Sequence, residues 1–273
     1  MLSVMMILIA TTKLQLTQST KLSRWKIACS MANSILRLLA LSSALLSCNS
    51  LLATELQQIC QRSFNYSIYL SGLHIGEMNR TENWQGKTAL ITSQSEASIL
   101  GIGTQYQQRS ELTWSTTSNE WLTNNFQQRV SGFRTRDMGV TLDNNGLRSR
   151  VDIDGKVTTY QSDTIPLRDV DTLAMQIREN LLKGHLQFKL IRQASDGIEP
   201  YQFNVKDQIH ITLEPWGEIQ LIPVEQTGSE EVTYFFAPSM NYQLLVAHYH
   251  GLILQGAIEL QTYVSTCETI TER

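Results

Sequence analysis

The chain has 273 residues, 42% hydrophobic and 17% charged, with a formal net charge of −3. That balance fits one large globular domain or two small ones, and it excludes a disordered tail, a collagen-like repeat and a disulfide-dense miniprotein. There is no basic excess, so a nucleic-acid partner is not expected.

The charge is unevenly spread. Residues 1–53 hold five basic residues (Lys13, Lys21, Arg24, Lys26, Arg37) and no acidic one, which leaves 17 basic against 25 acidic residues, about −8, in 54–273. Leu38–Ser47, LLALSSALLS, is apolar and uncharged. It is about ten residues long, and a spanning helix needs roughly 20. With Arg37 before it and small residues after it, it has the layout of a secretory signal peptide ending near Ala53. Residues 1–53 therefore read as a signal-peptide region, and 54–273 as a periplasmic domain with no transmembrane span. Met31, opening MANSILR, offers a later start. Leu45–Cys48, LLSC, approaches a lipoprotein signal, so a lipid anchor at Cys48 is the minor alternative. Export places the remaining cysteines, Cys60 and Cys267, in an oxidising space. A disulfide between them is expected; two unpaired thiols are the other reading.

From Phe64 onward the pattern is that of strands. Phe64, Tyr66, Ile68 and Leu70 alternate at period two. Residues 89–97, 104–115 and 121–134 are rich in Thr, Tyr, Trp and Gln and suit a half-exposed antiparallel sheet. Met138–Leu142 and Leu147–Ile153 alternate around Asn145-Gly146, a hairpin signal because both turn residues need positive φ. Asp154-Gly155 repeats the device before Lys156–Tyr160. The exception is Asp171–Lys183, DTLAMQIRENLLK, where Leu173, Ile177 and Leu181 recur every fourth residue. This predicts one amphipathic helix over about 171–183, capped by Asp169 or Asp171 and ended by Gly184. Strands then resume at 186–192, 201–205, 209–214, 218–224, 232–237, 242–249 and 252–264. Roughly 13 strands and one helix make an all-β domain, a single large antiparallel β barrel-like or strongly curved sheet, because such a chain must remove its edges.

Three blocks carry a family resemblance: YSIYLSGLHIGEM (Tyr66–Met78), IPLRDVDTLAMQIRENLLKG (Ile165–Gly184), and EPWGEIQLIPVEQ (Glu214–Gln226) followed by Thr233–Leu260. In order and spacing they resemble DUF3108, a family of exported bacterial proteins of unknown function. The resemblance covers most of Phe64–Val264. It implies a mostly antiparallel barrel-like fold, an envelope location and no established catalytic set. Val170-Asp171-Thr172-Leu173 lacks the family's proline after Asp, and Phe236-Ala237-Pro238-Ser239 has Phe and Ser where the family favours Trp and Asp.

Motifs that carry chemistry are sparse. His248 and His250 face the same way on a strand, yet no spacing selects a third ligand, so no metal site is assigned. No Gly-x-Ser-x-Gly elbow occurs. Glu230-Glu231 reads as a solvated turn. No catalytic residue and no cofactor are expected, and the chain reads as a non-enzyme. The aromatic residues, by contrast, would gather on the concave side of a curved sheet. A half-open barrel with a helix as lid could hold a lipid or acyl chain. Leu173, Ile177 and Leu181 would then face the cavity, with Trp216 and Phe236 among its lining. Such a carrier needs an apolar cavity of roughly 300 Å³ or more. An envelope protein partner, held by a sheet edge or face, is the alternative reading; a hydrolase is the third.

Overall fold

The structure, a computed structural model, describes residues 59–99, 102–132, 135–251 and 254–267. Residues 1–53, read above as a signal-peptide region, and Cys48 with them, lie outside the described residues. The first half of the chain is a meander of eight strands: β1 (Ile59–Leu70), β2 (Leu73–Gln85), β3 (Thr88–Ile99), β4 (Ile102–Ser115), β5 (Glu120–Gly132), β6 (Arg136–Asp143), β7 (Arg148–Ile153) and β8 (Lys156–Gln161). A short β9 (Leu167–Arg168) leads into the helix α1 (Val170–Leu182). The second half contains β10 (Gln187–Gln193), β11 (Ile198–Val205), β12 (Ile209–Leu213), β13 (Gly217–Gly228), β14 (Val232–Ala237), β15 (Gln243–His250) and β16 (Gln255–Ser265).

Fifteen strands join in one path, β8-β7-β6-β5-β4-β3-β2-β1-β16-β15-β14-β13-β11-β10-β9, while β12 pairs with β13 beside it. The sheet is barrel-shaped and nearly closed. Its two halves meet where β1 pairs antiparallel with β16, Phe64 opposite Tyr263 and Tyr66 opposite Leu260. The Cys60–Cys267 disulfide staples the same seam across 207 residues, with Cα atoms 4.8 Å apart. Across the opening, Ser149 on β7 donates to the Gln193 side chain on β10.

Turn chemistry sets much of this path. Asp154 and Gly155 both take positive φ, 50° and 85°, as a two-residue hairpin turn requires. The Asn144–Gly146 turn also runs at positive φ throughout. Among the described residues sixteen strands form rather than about thirteen. Most of the difference is β2 and β9. On β2 the inward positions include Arg80 and Glu82, both buried, so the apolar alternation that marks a half-buried strand is broken by ions. β9 is two residues long and too short for any periodicity. β16 starts at Gln255, three residues later than the apolar run suggests.

The helix is not docked on the outside. Asp169 is its N-cap, accepting from the Asp171 and Thr172 amides, and Gly184 at φ 72° follows its end. Its apolar side, Val170, Leu173 and Ile177, packs with Tyr234, Phe236 and Leu244 of β14 and β15. Its polar side, Asp171, Thr172, Gln176 and Asn180, is buried too. Both faces are therefore covered, and α1 fills the concave side of the sheet.

Candidate functional site

The most unusual chemistry lies where α1 meets β2–β5. Strict alternation on β4 turns Thr104, Tyr106, Gln108 and Ser110 inward and leaves Gln105, Gln107 and Arg109 exposed. The inner wall of β2–β5 thus carries many polar side chains among its apolar ones: Arg80, Glu82, Ser93, Ser95, Gln108, Ser110, Thr123 and Gln128 are all buried. Buried polar groups are costly unless paired. Here the helix supplies most of the partners.

Asp169 Oδ1 accepts from Ser110 Oγ at 2.8 Å and Gln108 Nε2 at 3.0 Å, besides the two capping amides. Its Oδ2 accepts from Thr123 Oγ1 at 2.8 Å and from the Thr172 hydroxyl. Asp171 Oδ1 is ion-paired to Arg80 and accepts from Ser93 Oγ at 3.0 Å, and Gln108 Nε2 reaches Asp171 Oδ2 at 2.7 Å. Arg80 also pairs with Glu82 at 3.1 Å, and the Trp84 indole donates to Glu82 at 3.2 Å. Burial opposes the Arg80 charge, but Asp171 and Glu82 outweigh it and hold its pKa above the usual value. Asp169 has no such cation bonded to it. Burial, and then the neighbouring Asp171 charge, raise its pKa above the ordinary carboxylate value. Further along, the Gln176 side chain accepts from the Trp121 amide at 2.8 Å. The fully buried Arg168 donates to the Trp121 carbonyl at 2.9 Å and pairs with Glu120 at 3.1 Å.

This arrangement changes the picture of the expected cavity. Leu173, Ile177 and Phe236 do come together, with Val170, Ala174, Tyr234 and Leu244, but the space among them is about 10 Å³. A second crevice, between Tyr66, Arg80, Met175 and Gln243, measures about 20 Å³. Each has room for about one water and none for an acyl chain. Leu181 is buried in the same core without lining either crevice. Trp216, just before β13, packs half-buried against the edge of that core without lining either crevice, and its indole donates to the Leu260 carbonyl at 2.8 Å. The helix is the filling of the barrel rather than a lid over a void. The sequence pattern could not distinguish the two, because an apolar stripe docks equally well in either place. The visible clue was the pair Arg80 and Glu82, two residues apart on one strand face, of which Arg80 is complementary to Asp171.

A second ion cluster lies on β10, β11 and the β13–β14 turn. Arg192 Nε donates to Glu199 at 2.7 Å and Nη1 reaches Glu230 at 3.4 Å, while the Tyr201 hydroxyl donates to Glu199 at 2.7 Å. Burial raises the Glu230 pKa against the pull of Arg192. Glu230 is thus a buried ion-pair partner, not the solvated turn residue its sequence suggested. His248 stacks edge-on with Phe235 at 5.3 Å, and His250 bonds Thr233 Oγ1 at 2.8 Å, both on exposed positions. Among the described residues, no three His, Cys, Asp or Glu side chains converge as a metal site.

No family model matches the chain. No curated protein matches it. A solved structure does. The crystal structure of a beta-barrel-like protein of the domain of unknown function DUF1849, from Brucella abortus, superposes with a TM-score of 0.53 at 8% identity. It covers 77% of this chain and 98% of that one. At this identity the likeness is one of fold, and DUF1849 is a different family from DUF3108.

The outer wall completes the geometry. On β3–β5 the exposed positions include Gln94, Glu96, Gln105, Gln107, Arg109, Asn124, Gln127 and Arg129. A membrane-spanning barrel needs an apolar outer band about 25 Å tall, and this wall is polar along its length. Among the described residues, no helix is long and apolar enough to cross a membrane. The exposed large apolar side chains sit elsewhere: Ile59, Leu73, Val157, Leu182, Leu186, Leu254 and Val264.

Proposed function

We propose that this chain is a non-enzymatic binding protein of the cell envelope that engages an apolar envelope component, lipid or acyl chain, on its outside rather than carrying it inside. One observation carries the reading: α1 occupies the concave side of the sheet, and the crevices beside it measure about 10 and 20 Å³. A lipid that finds no room beneath the helix must be met on the surface. The envelope location rests on the apolar run Leu38–Ser47, the DUF3108-like blocks and the disulfide, which suits an oxidising compartment. A periplasmic protein released by cleavage near Ala53 is the form proposed.

A protein partner is the second reading, and β8 favours it. Among the described residues, β8 pairs with β7 alone. Its Lys156, Val157, Thr158 and Thr159 are exposed, so its open edge could accept another strand.

The test is recovery of the disulfide-intact protein from its own envelope, read for both lipids and proteins. Native mass spectra free of a stoichiometric lipid adduct, with reproducible capture of an envelope lipid or protein, support surface binding. A lipid-sized adduct retained one-to-one would restore the carrier. Turnover of a model ester or glycoside by the purified chain would sink the non-enzymatic assignment.

A further inference from the structure

Three arginines gather around Glu82, where α1 passes the start of β1 and the end of β2. Arg62 on β1 stands opposite Glu82 on β2, and their side chains pair at 3.7 Å. Arg80 pairs with the same Glu82 at 3.1 Å and with Asp171. The Trp84 indole donates to Glu82 at 3.2 Å, and the Arg62 guanidinium sits 5.3 Å over the Trp84 ring. Arg178 comes from α1 and lines the crevice of about 20 Å³ together with Arg80 and Glu82. Its Nε donates to the Asn241 carbonyl at 2.8 Å.

Arg178 differs from the other arginines set into the fold. Arg80, Arg168 and Arg192 each pair with a carboxylate. Among the described residues none forms an ion pair with Arg178: Glu82 serves Arg80 and Arg62, and the adjacent Glu179 pairs with Lys183 at 3.5 Å. Burial, and then the Arg62 charge, push the Arg178 pKa down to about 10. Arg62 is itself loosely held, and its buried Nε meets no acceptor among the described residues. Three guanidiniums thus share two carboxylates, Glu82 and Asp171, and the surplus charge falls on Arg178. A cation drawn out of water without a counter-charge is costly. The backbone fixes its side chain: Asn241 and Tyr242, at φ 55° and 54°, turn the Asn241 carbonyl onto Nε. Arg178 is half-buried, so its two terminal nitrogens remain for a partner that arrives from solvent.

We propose that Arg178, with Arg62 beside it, binds a phosphate group at the mouth of this crevice, either as free phosphate or as the phosphodiester of a lipid headgroup. The planar fork of a guanidinium matches two oxygens of such a group. With Nε held by Asn241, the end-on pair Nη1 and Nη2 is the one that forms. A phosphate has a third oxygen for Arg62, which a carboxylate lacks. The crevice has room for about one water, so one oxygen at most enters it and the rest of the molecule stays outside. Glu82 also lines the crevice, but Arg80, Trp84 and Arg62 already hold its two oxygens. The anion supplies the missing counter-charge, and its binding weakens with salt because the mouth is open to solvent. This site goes beyond the surface-binding reading: it needs no apolar contact and stands whether or not the phosphate carries acyl chains.

The test is isothermal titration calorimetry of the disulfide-intact protein at low salt with inorganic phosphate, with monomeric dihexanoyl phosphatidylglycerol and with acetate. Wild type is expected to bind phosphate, the phosphodiester or both at one site per chain, more tightly than acetate and more weakly at high salt. Arg178→Gln should lose that binding by about tenfold or more, since a charge-assisted fork is removed. Arg62→Gln should lose a smaller share, and Arg109→Gln, on the outer wall, none. Arg178→Lys keeps the charge without the fork. It carries the test where Arg178→Gln does not fold, and should bind more weakly than wild type. Saturation by phosphate alone assigns the site to a free phosphate, by the lipid alone to a headgroup, and by both to the shared chemistry. No saturable binding of either probe, acetate bound equally well, or a folded Arg178 variant that binds as wild type does, overturns the proposal. Lipid bound equally by wild type and the Arg178 variants removes this site and leaves the surface-binding reading standing.

Discussion

Replacing Asp169 by Ala and by Asn separates the two jobs of one buried carboxyl group. In Asp169→Ala all its hydrogen bonds are lost. Gln108 Nε2 retains Asp171 at 2.7 Å, and the Thr123 hydroxyl retains Thr172 Oγ1 at 2.8 Å. The amides of Asp171 and Thr172 retain nothing, and both residues are fully buried. At roughly 1–3 kcal/mol for each buried orphan donor, Asp169→Ala should cost about 3 kcal/mol. Asp169→Asn keeps Oδ1 for the two amides. Its new NH₂ meets only the Thr123 and Thr172 hydroxyls, which can turn and accept, so its cost at neutral pH should stay below about 1 kcal/mol. The two variants also differ in pH dependence. The folded pKa of Asp169 is raised above 3.8. A raised folded value means that the folded state binds the proton more tightly than the unfolded one. The resulting stability is fully present below the unfolded pKa and lost as pH rises through the folded value. Relative to wild type, Asp169→Asn should therefore be least unfavourable at pH 8 and grow more unfavourable as pH falls toward 4. Urea unfolding followed by tryptophan fluorescence across that range measures both differences. A cost below about 1 kcal/mol for Asp169→Ala, or a pH-independent gap between Asp169→Asn and wild type, would refute the buried-acid argument.

Two further outcomes follow from the scaffold. Reducing Cys60–Cys267, or replacing both by Ser, should lower the thermal midpoint, because the bond closes a loop of 207 residues. The chain-entropy model gives an upper bound near 5 kcal/mol, and equal mobility on reducing and non-reducing gels would deny the bond itself. Gly76→Ala should destabilise by about 2 kcal/mol, within the usual cost of overpacking. Its Cβ would lie 1.9 Å from the Glu96 carbonyl oxygen on β3, whereas Gly103→Ala meets nothing within 4 Å and should be neutral in the same denaturation assay.

The barrel-like all-β fold was legible because outward-facing polar residues and inward-facing apolar ones alternate on most strands. The helix was legible because Leu173, Ile177 and Leu181 repeat at helical spacing and Asp169 and Gly184 bracket them. Its location was not. An apolar stripe states that one side is buried, while Thr172, Gln176 and Asn180 look solvent-facing until polar residues on β2–β5 are known to face them. Those wall residues are equally ambiguous: Gln108 points inward and Gln107 outward on the same strand, and no local chemistry tells them apart.

The polar seat also decides whether α1 could leave to admit a ligand. Withdrawing it would strip Arg80 of Asp171 and leave Gln108, Ser110 and Thr123 without the carboxylates they donate to. It would also expose Leu173, Ile177 and Phe236, now 3%, 0% and 2% accessible. Breaking one buried ion pair alone costs about 3–5 kcal/mol, a sizeable part of the 5–15 kcal/mol that holds a domain folded. Opening the helix is therefore close to unfolding the barrel. Hydrogen exchange measures this directly: amides of 173–182 should exchange only through global unfolding, with the same free energy as core amides of β4 and β5. Adding lipid vesicles should leave that protection unchanged. Protection of α1 several kcal/mol below the global value, or its loss in the presence of lipid, would show a lid and return the function to the barrel's interior.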